Sequence, residues 1–497
     1  MVQKHHQPGN KNQVIFNTGH FNRQNARIMR PLVQLMFFAW VLVGCSGNTS
    51  NTTANSTPPK VIRTMPTTPP WAANAVLYEC NIRQFSPQGN LAGVAEQLQR
   101  LKDLGVDVLW LMPIHPIGVT NRKEKPADLG SPYSVQDYYA VNPDFGTVDD
   151  LKNLVTKAHS IGLKVILDWV PNHTSWDAAW MKVHPEFYTK VNGQFTAPLN
   201  EHGGSTGWDD CADLDYNNPA LRKAMVEAMQ HWIKTVDIDG FRVDMAGLVP
   251  NDFWQEAGPA LDSLKAVFML SEWQDEPGHF KTAFHFNYGW KWKDITKDIA
   301  AGRQSAVALD TLLEYLDQFY PAGYQQMYFT QNHDENTWTG TEHELYGAAA
   351  DAMNVLMFTW QGIPMIYNGQ EDGLSQRLAF FKKDPIQWGD YGKTPFFQNL
   401  CDLRHNNKAL GAGASGGKLI KIKTDKDDRV YAFTREKEGE RVVVITNLSK
   451  LPCAVTLEPD DKTIGSYLNL FGASTMQITK EMQLNLKPWE YLVLTNK

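Results

Sequence analysis

Short apolar runs alternate with stretches of helical periodicity along most of this chain. The run 76–82 suits a buried strand. Leu91, Val94, Leu98, Leu101 and Leu104 then recur three or four residues apart, and Gly105 stops them, which predicts one helix. The run 106–112, closed by Pro113, predicts a second strand. Thr147 with Asp150 three residues on reads as a helix cap ahead of Leu151, Leu154, Val155, Ala158 and Ile161. A third strand is predicted over 164–170. Pro219 opens a helix with Leu221, Met225, Met229, Trp232 and Ile233 on one face. Further strands are predicted over 238–244, 266–272, 283–287, 326–331 and 364–367.

Strands alternating with helices imply a parallel sheet buried on both faces, and more than six such units favour a closed (β/α)8 barrel. Residues 171–216, rich in Trp, His, Asn, Gly and Asp, break the rhythm and predict a short lobe inserted after strand three, over the barrel mouth. Beyond about residue 410 the pattern turns to short alternating runs, at 419–422, 430–434, 441–446, 454–457 and 491–494. That predicts a C-terminal antiparallel β-sandwich. The expected division is a barrel over 71–409 and a β-domain over 410–497.

The N-terminus departs from this pattern. Arg27 and Arg30 precede an apolar run, 32–43, that ends Leu42-Val43-Gly44-Cys45. The run is too short to span a bilayer. A charged segment, a short apolar segment and a small residue before Cys resemble a bacterial lipoprotein signal over 1–45, with Cys45 as the lipidated residue. Met29-Arg30-Pro31 would make a shorter start of the usual length. Residues 46–70, rich in Ser, Thr, Asn and Pro, read as a disordered tether. The expected place is the bacterial cell envelope, periplasmic or at the outer membrane, with the membrane as a partner through the lipid.

Composition narrows the function. The chain has 497 residues, 42% hydrophobic and 20% charged, an ordinary globular balance. Net charge is −7, although Lys4, Lys11, Arg23, Arg27 and Arg30 stand in the first 45 residues without any acid. The rest is therefore more acidic still, which argues against nucleic acid as a partner. Sixteen Trp and 17 Tyr suit a large aromatic core, and some suit sugar-stacking platforms. Cys80, Cys211, Cys401 and Cys453 are widely spaced without a CxxC pair, so a zinc site is not expected, and their pairing stays open.

In barrels of this kind reactive side chains stand at the C-terminal ends of strands. Strand three ends Asp168-Trp169-Val170-Pro171-Asn172-His173, strand four Arg242-Val243-Asp244, strand five Ser271-Glu272-Trp273, and strand seven Asn332-His333-Asp334. Four carboxylates thus converge on one mouth. Alternation places Arg242 and Asp244 on one face, and the guanidinium is expected to lower the pKa of Asp244, as a nucleophile needs. Asp244 and Glu272 end neighbouring strands about 4.8 Å apart, near the roughly 5–5.5 Å carboxyl spacing of retaining glycosidases. Asp244 is therefore expected to attack the anomeric carbon, Glu272 to serve as acid and base with a raised pKa, and Asp334 to grip sugar hydroxyls. His173 and His333 are expected to donate to others. A metal centre built from the same acids and histidines is a weaker alternative, because the histidines lack ligand spacing. No cofactor is needed for this chemistry.

Together these segments resemble the alpha-amylase family, glycoside hydrolase family 13. The resemblance includes 105–113, Asp213-Leu214-Asp215 in the lobe and 362–371 at strand eight. It covers about residues 71–497. It implies Asp244 as nucleophile, Glu272 as acid/base and Asp334 as the transition-state carboxylate. Arg242, His173 and His333 would line the sugar subsite, Tyr133 would stack on the sugar, and Asp168 would support the site. The implied substrate is an α-1,4-glucan or maltooligosaccharide. Many members follow the nucleophile with a Lys-His pair that touches the leaving side and supports a calcium. Here Met245-Ala246-Gly247 follows, so a structural calcium is possible but its ligands are unknown, although Asn172 and Asp213 match usual ligand positions. The alternatives on this fold are a cyclomaltodextrinase, an α-1,6-glucosidase or a glucanotransferase. An inactive glycan-binding lipoprotein is the remote one.

Overall fold

A computed structural model describes residues 65–123, 128–472 and 474–497. The signal region, Cys45 and the tether up to residue 64 lie outside the described residues.

Eight parallel strands close into a barrel: β1 (Leu77–Cys80), β2 (Val108–Leu111), β3 (Lys164–Trp169), β4 (Gly240–Val243), β5 (Phe268–Ser271), β6 (Phe286–Tyr288), β7 (Gln326–Tyr328) and β8 (Ile363–Tyr367). They pair in chain order, and β8 closes on β1 with Leu77 opposite Met365. Alternate residues fill the interior: Leu77, Val108, Ile166, Phe268, Phe286, Met327 and Ile363 form one apolar cluster. Two residues further along several strands the inward position turns polar, from Leu77 to Glu79, Ile166 to Asp168, Gly240 to Arg242 and Phe286 to Tyr288. The period of two that builds the core therefore also builds the polar layer above it. Gly240 has φ 156°, and a Cβ there would lie 2.0 Å from the Phe268 carbonyl oxygen, so only glycine lets β4 approach β5 this closely.

Several elements differ in extent from the sequence expectation. The helix expected over 91–104 is two, Leu91–Glu96 and Leu98–Leu104, parted at Gln97 where ψ opens to 0°. Strand six lies later than 283–287, because Pro277–Lys281 forms a 3-10 turn and Phe284 is held under Trp254. Strands four, five and seven stop earlier, leaving Asp244, Glu272 and Asp334 beyond their ends. The cap at Thr147 is a full capping box with Asp150 on helix Val148–Ser160. In 171–216, His173–Ser175 pairs antiparallel with Cys211–Asp213, next to a hairpin of Lys190–Val191 and Gln194–Phe195.

The C-terminal strands are β9 (Ile420–Thr424), β10 (Val430–Lys437), β11 (Glu440–Asn447), β12 (Cys453–Glu458), β13 (Gly465–Asn469), β14 (Thr475–Ile478), β15 (Met482–Leu486) and β16 (Tyr491–Thr495). They form an antiparallel sheet in the order β14-β13-β16-β11-β10-β9-β12-β15. β9 pairs with β10 through its first half and with β12 through its second. The sheet thus folds over one core, with Val443 and Leu494 from one part meeting Val455 and Leu486 from the other. Buried Arg435 on β10 donates to the carbonyls of Thr359, Trp360, Leu410, Gly411 and Gly417. Trp360 also packs on Tyr431 and Phe433. All four described cysteines are buried and free. No helix among the described residues is long and apolar enough to cross a membrane.

Candidate active site

The charged layer at the barrel mouth is organised by one guanidinium. Arg242, fully buried on β4, places Nη1 2.8 Å from Asp168 and 3.0 Å from Asp244, and Nη2 2.5 Å from Glu272. Its Nε donates to the Tyr288 hydroxyl at 3.0 Å. Trp110, Tyr133 and Tyr288 turn their rings to it, with centroids 5.1, 5.6 and 5.6 Å from the guanidinium carbon. Aromatic faces tolerate a cation where water is excluded, so the charge is held without solvent. Asp244 and Glu272 bind neighbouring nitrogens of one rigid fork, and their carboxyls therefore lie side by side. The Met245 N–H donates to Glu272 Oε2 at 3.1 Å, which ties the second carboxyl to the turn after the first.

The pKa of Asp244 departs from the sequence expectation. Arg242 pulls it down, but burial and then the neighbouring Glu272 carboxylate outweigh that pull, and it is raised well above the ordinary value. One cation cannot compensate three buried acids. Asp168 is also raised, to about 6, by burial, although Arg242 and His333 oppose it.

A second network adjoins the first. Asp168 Oδ2 accepts from Trp110 Nε1 at 3.2 Å and from the Tyr133 hydroxyl at 3.1 Å. That hydroxyl lies 2.9 Å from His333 Nε2. His333 Nδ1 meets Glu79 Oε1 at 2.5 Å, and its Nε2 lies 3.4 Å from Asp334. Burial alone would lower the imidazole pKa, but Asp334 and Glu79 outweigh it and hold it up at about 9. His333 is thus an imidazolium at neutral pH, able to donate from both nitrogens. The side chain of Asp334 is 39% exposed and faces the open mouth. Asp244, Glu272, Asp334, Arg242, Asp168, Tyr133 and His333 accordingly converge on one centre.

His173 touches these networks only through the Tyr133 backbone, to which its ring hydrogen-bonds. It is buried in the lobe, with its ring 5.5 Å from Trp208 and Nδ1 3.3 Å from the Asn172 amide nitrogen. Burial lowers its pKa to about 4, so it is neutral. Glu79, Trp110 and Tyr288 were not singled out from the sequence. Glu79 had a signal, a lone acid inside an apolar strand. Tyr288 fell just beyond the strand expected at 283–287.

The Asp213 carboxyl is raised to about 6 by burial and is satisfied by Thr189 and Leu199. The described residues contain no group of three His, Cys, Asp or Glu placed to hold a metal. Asn172 and Asp213 supply two of the six or more oxygens that calcium takes, and the Asp213 carboxyl is already engaged by Thr189 and Leu199. Where the Lys-His pair was sought, Gly247 lies under the Trp273 indole. A Cβ there would come within 2.2 Å of the ring. The space beside the acid/base candidate is thus shaped by an aromatic ring.

Two carboxyls gathered on one guanidinium at the C-terminal ends of β4 and β5 are the arrangement of a retaining glycoside hydrolase. The chain belongs to the alpha-amylase family: residues 45–391 match the alpha amylase catalytic domain, and residues 421–493 match the maltogenic amylase C-terminal domain. It is similar to Alpha-amylase 3 of Dictyoglomus thermophilum, 26% identical across 77% of this chain and 86% of that one. Among solved structures it resembles the maltogenic alpha-amylase AmyB of Thermotoga neapolitana (29% identity, TM-score 0.75, 86% of this chain and 99% of that one). It likewise resembles an alpha-amylase of Lactobacillus plantarum (30% identity, TM-score 0.75, 86% and 100%). The protein is therefore a retaining hydrolase of α-glucans.

One consequence concerns pH. Glu79→Gln removes one of the two anions that keep His333 protonated. The alkaline limb of kcat/KM is expected to move down by about one pH unit, followed by a pH–rate profile and by the imidazole signals in NMR. An unmoved limb and an unmoved imidazole titration would contradict the cationic role of His333.

Proposed function

We propose that this protein cleaves α-1,4-glucosidic bonds of starch-derived glucans or maltodextrins through a covalent glycosyl-enzyme formed on Asp244. The single observation that carries the reading is Arg242, which gathers Asp244 and Glu272 around one guanidinium at the barrel mouth. With a glucan bound, Glu272 acts as the general acid toward the glycosidic oxygen. Arg242 then neutralises Asp244, which attacks the anomeric carbon as Glu272 donates to the leaving oxygen. The Glu272 carboxylate next takes a proton from water, and that water displaces Asp244 with overall retention. Asp334 and the His333 imidazolium hold hydroxyls of the sugar as its ring flattens, Tyr133 underlies it, and Asp168 fixes both Tyr133 and Arg242. His173 contributes from the lobe side.

The test is an NMR time course with maltoheptaose and, separately, panose. New α-anomer from internal α-1,4 cleavage is the expected result. Cleavage of the α-1,6 bond, or longer products by transfer, would replace this reading with one of the same-fold alternatives. A cyclomaltodextrinase of Thermoanaerobacter pseudethanolicus is among the relatives, 26% identical across 73% of this chain and 64% of that one. No change in either sugar, with binding retained, would sink the enzymatic reading.

The proposal includes lipid attachment at Cys45, a tether that ends before residue 65 and residence in the bacterial cell envelope, supported by the pattern of residues 27–45; the last part of the expected tether, 65–70, belongs to the folded body, since Met65 packs on the core and Thr68 accepts from Gln325 Nε2. Cys45→Ala is expected to release the protein from the membrane fraction and to abolish labelling by a fatty-acid probe. Labelling that persists would remove this part of the proposal.

A further inference from the structure

The mouth carries an aromatic surface that the cleavage site does not use. Trp338 lies four residues beyond Asp334, in the π-helical turn Glu335–Thr339. It is 49% exposed, the only tryptophan among the exposed large apolar side chains of the described residues. Its ring packs on Phe380, with centroids 5.4 Å apart, and on Phe381 at 6.1 Å. Phe380 in turn lies parallel to Tyr133, 6.2 Å away and 10° from coplanar. A continuous aromatic path thus leads from the ring beneath the reacting sugar out to solvent.

The turn is held in place. Thr337 donates to the Leu378 carbonyl at 2.9 Å, and Asn336 is joined to the same loop through the Gln376 carbonyl and the Leu378 N–H. A π-turn puts one extra residue into the helix and re-aims the side chains after it. Here that places the indole at the rim while Asp334 stays in the mouth. Phe380 and Phe381 back the indole and leave the rest of it open to solvent. Its position therefore suits the apolar face of a pyranose.

The side of the cleavage point follows from the barrel order. Glu272 stands at the end of β5 and protonates the oxygen of the departing sugar. Trp338 and Phe380 follow β7 and β8, on the side of the mouth that carries Asp334 and Tyr133 and two to three strands round from β5. We propose that Trp338, backed by Phe380, is an outer glucan subsite on the non-reducing side of the cleaved bond, stacking a glucose ring beyond the one that reacts. It rests on the assignment of the reacting sugar to Asp244 and Tyr133. An α-glucan chain is the occupant because the path is continuous with that sugar's site. The consequence is a requirement for chain length: substrates that extend past the reacting sugar gain from Trp338, and those that end there do not.

The experiment compares Trp338→Ala and Trp338→Phe with the parent protein on maltoheptaose and on an aryl α-glucoside. Trp338→Ala is expected to lower kcat/KM for maltoheptaose on the order of tenfold more than for the glucoside, the scale of one well-placed aromatic contact. The loss should lie in KM, and Trp338→Phe should recover most of it. Equal loss on both substrates would show a structural role, and no loss on either would show no contact; both overturn the proposal. Affinity for maltoheptaose is measured as well, in an Asp244→Asn background. Weakened affinity on adding Trp338→Ala supports the subsite even if the parent fails to cleave glucans. Unchanged affinity in a protein that does cleave them overturns the subsite and leaves the cleavage mechanism standing.

Discussion

Asp244→Asn is expected to cut turnover of maltooligosaccharides on the order of 10⁴-fold or more, since an amide cannot form the glycosyl-enzyme. The fold should not suffer. The folded-state pKa of Asp244 is raised by burial and by Glu272. A carboxyl with a raised folded-state pKa keeps a proton that the unfolded chain releases above about pH 4, so its ionisation costs stability as pH rises through that range. The neutral amide removes this cost. The variant should therefore melt at or above the parent temperature near neutral pH and still bind maltoheptaose. Calorimetry and single-turnover kinetics decide it. Retained turnover would sink the assignment of the nucleophile, and a large drop in melting temperature would sink the electrostatic account.

Arg242→Leu should be the more damaging change. It leaves Asp168, Asp244 and Glu272 facing one another without the cation that all three contact. Removing one partner of a buried ionic group typically costs about 3–5 kcal/mol, and catalysis should vanish with it. The deficit should shrink as pH falls toward 5, because Asp168, already raised to about 6, takes up a proton and no longer repels its neighbours. Arg242→Lys keeps a charge but cannot span three carboxylates at once, so it should recover stability more than activity. Urea unfolding at pH 7 and pH 5 measures both. A deficit independent of pH would mean that packing against Trp110 and Tyr288, and not charge, is what Arg242 supplies.

The parallel barrel was legible because period-two strands and helical repeats of leucine leave different traces, and because Gly105 and the Thr147 cap mark their ends. The catalytic acids were legible because each follows an apolar run. What escaped notice did so for local reasons. β13 and β14 have only one or two apolar inward positions each, too few to signal a strand, whereas β15 turns Met482, Leu484 and Leu486 inward at period two and carried a signal that the expected strands left out. β6 was displaced because Ala283 and Phe284 are apolar for packing against a helix rather than for pairing. The pKa of Asp244 was misjudged because Arg-x-Asp reads as one pair in sequence, whereas Asp168 and Glu272 reach the same guanidinium from other strands. Glu79 joins His333 across 254 residues of chain, and no local pattern records such a contact.

The five carbonyls gathered by Arg435 bear on how the molecule comes apart. Two of them end the helix before β8, and three belong to the connection between the barrel and the C-terminal strands. The guanidinium that receives them rises from β10. Neither part can be removed without stranding buried polar groups on the other, and Lys421 and Tyr431 add contacts to Asp310, 2.7 and 2.9 Å away. The barrel and the C-terminal strands therefore share a single cooperative transition, and shortening the chain to its catalytic portion would cost the enzyme its thermodynamic integrity rather than merely an accessory module.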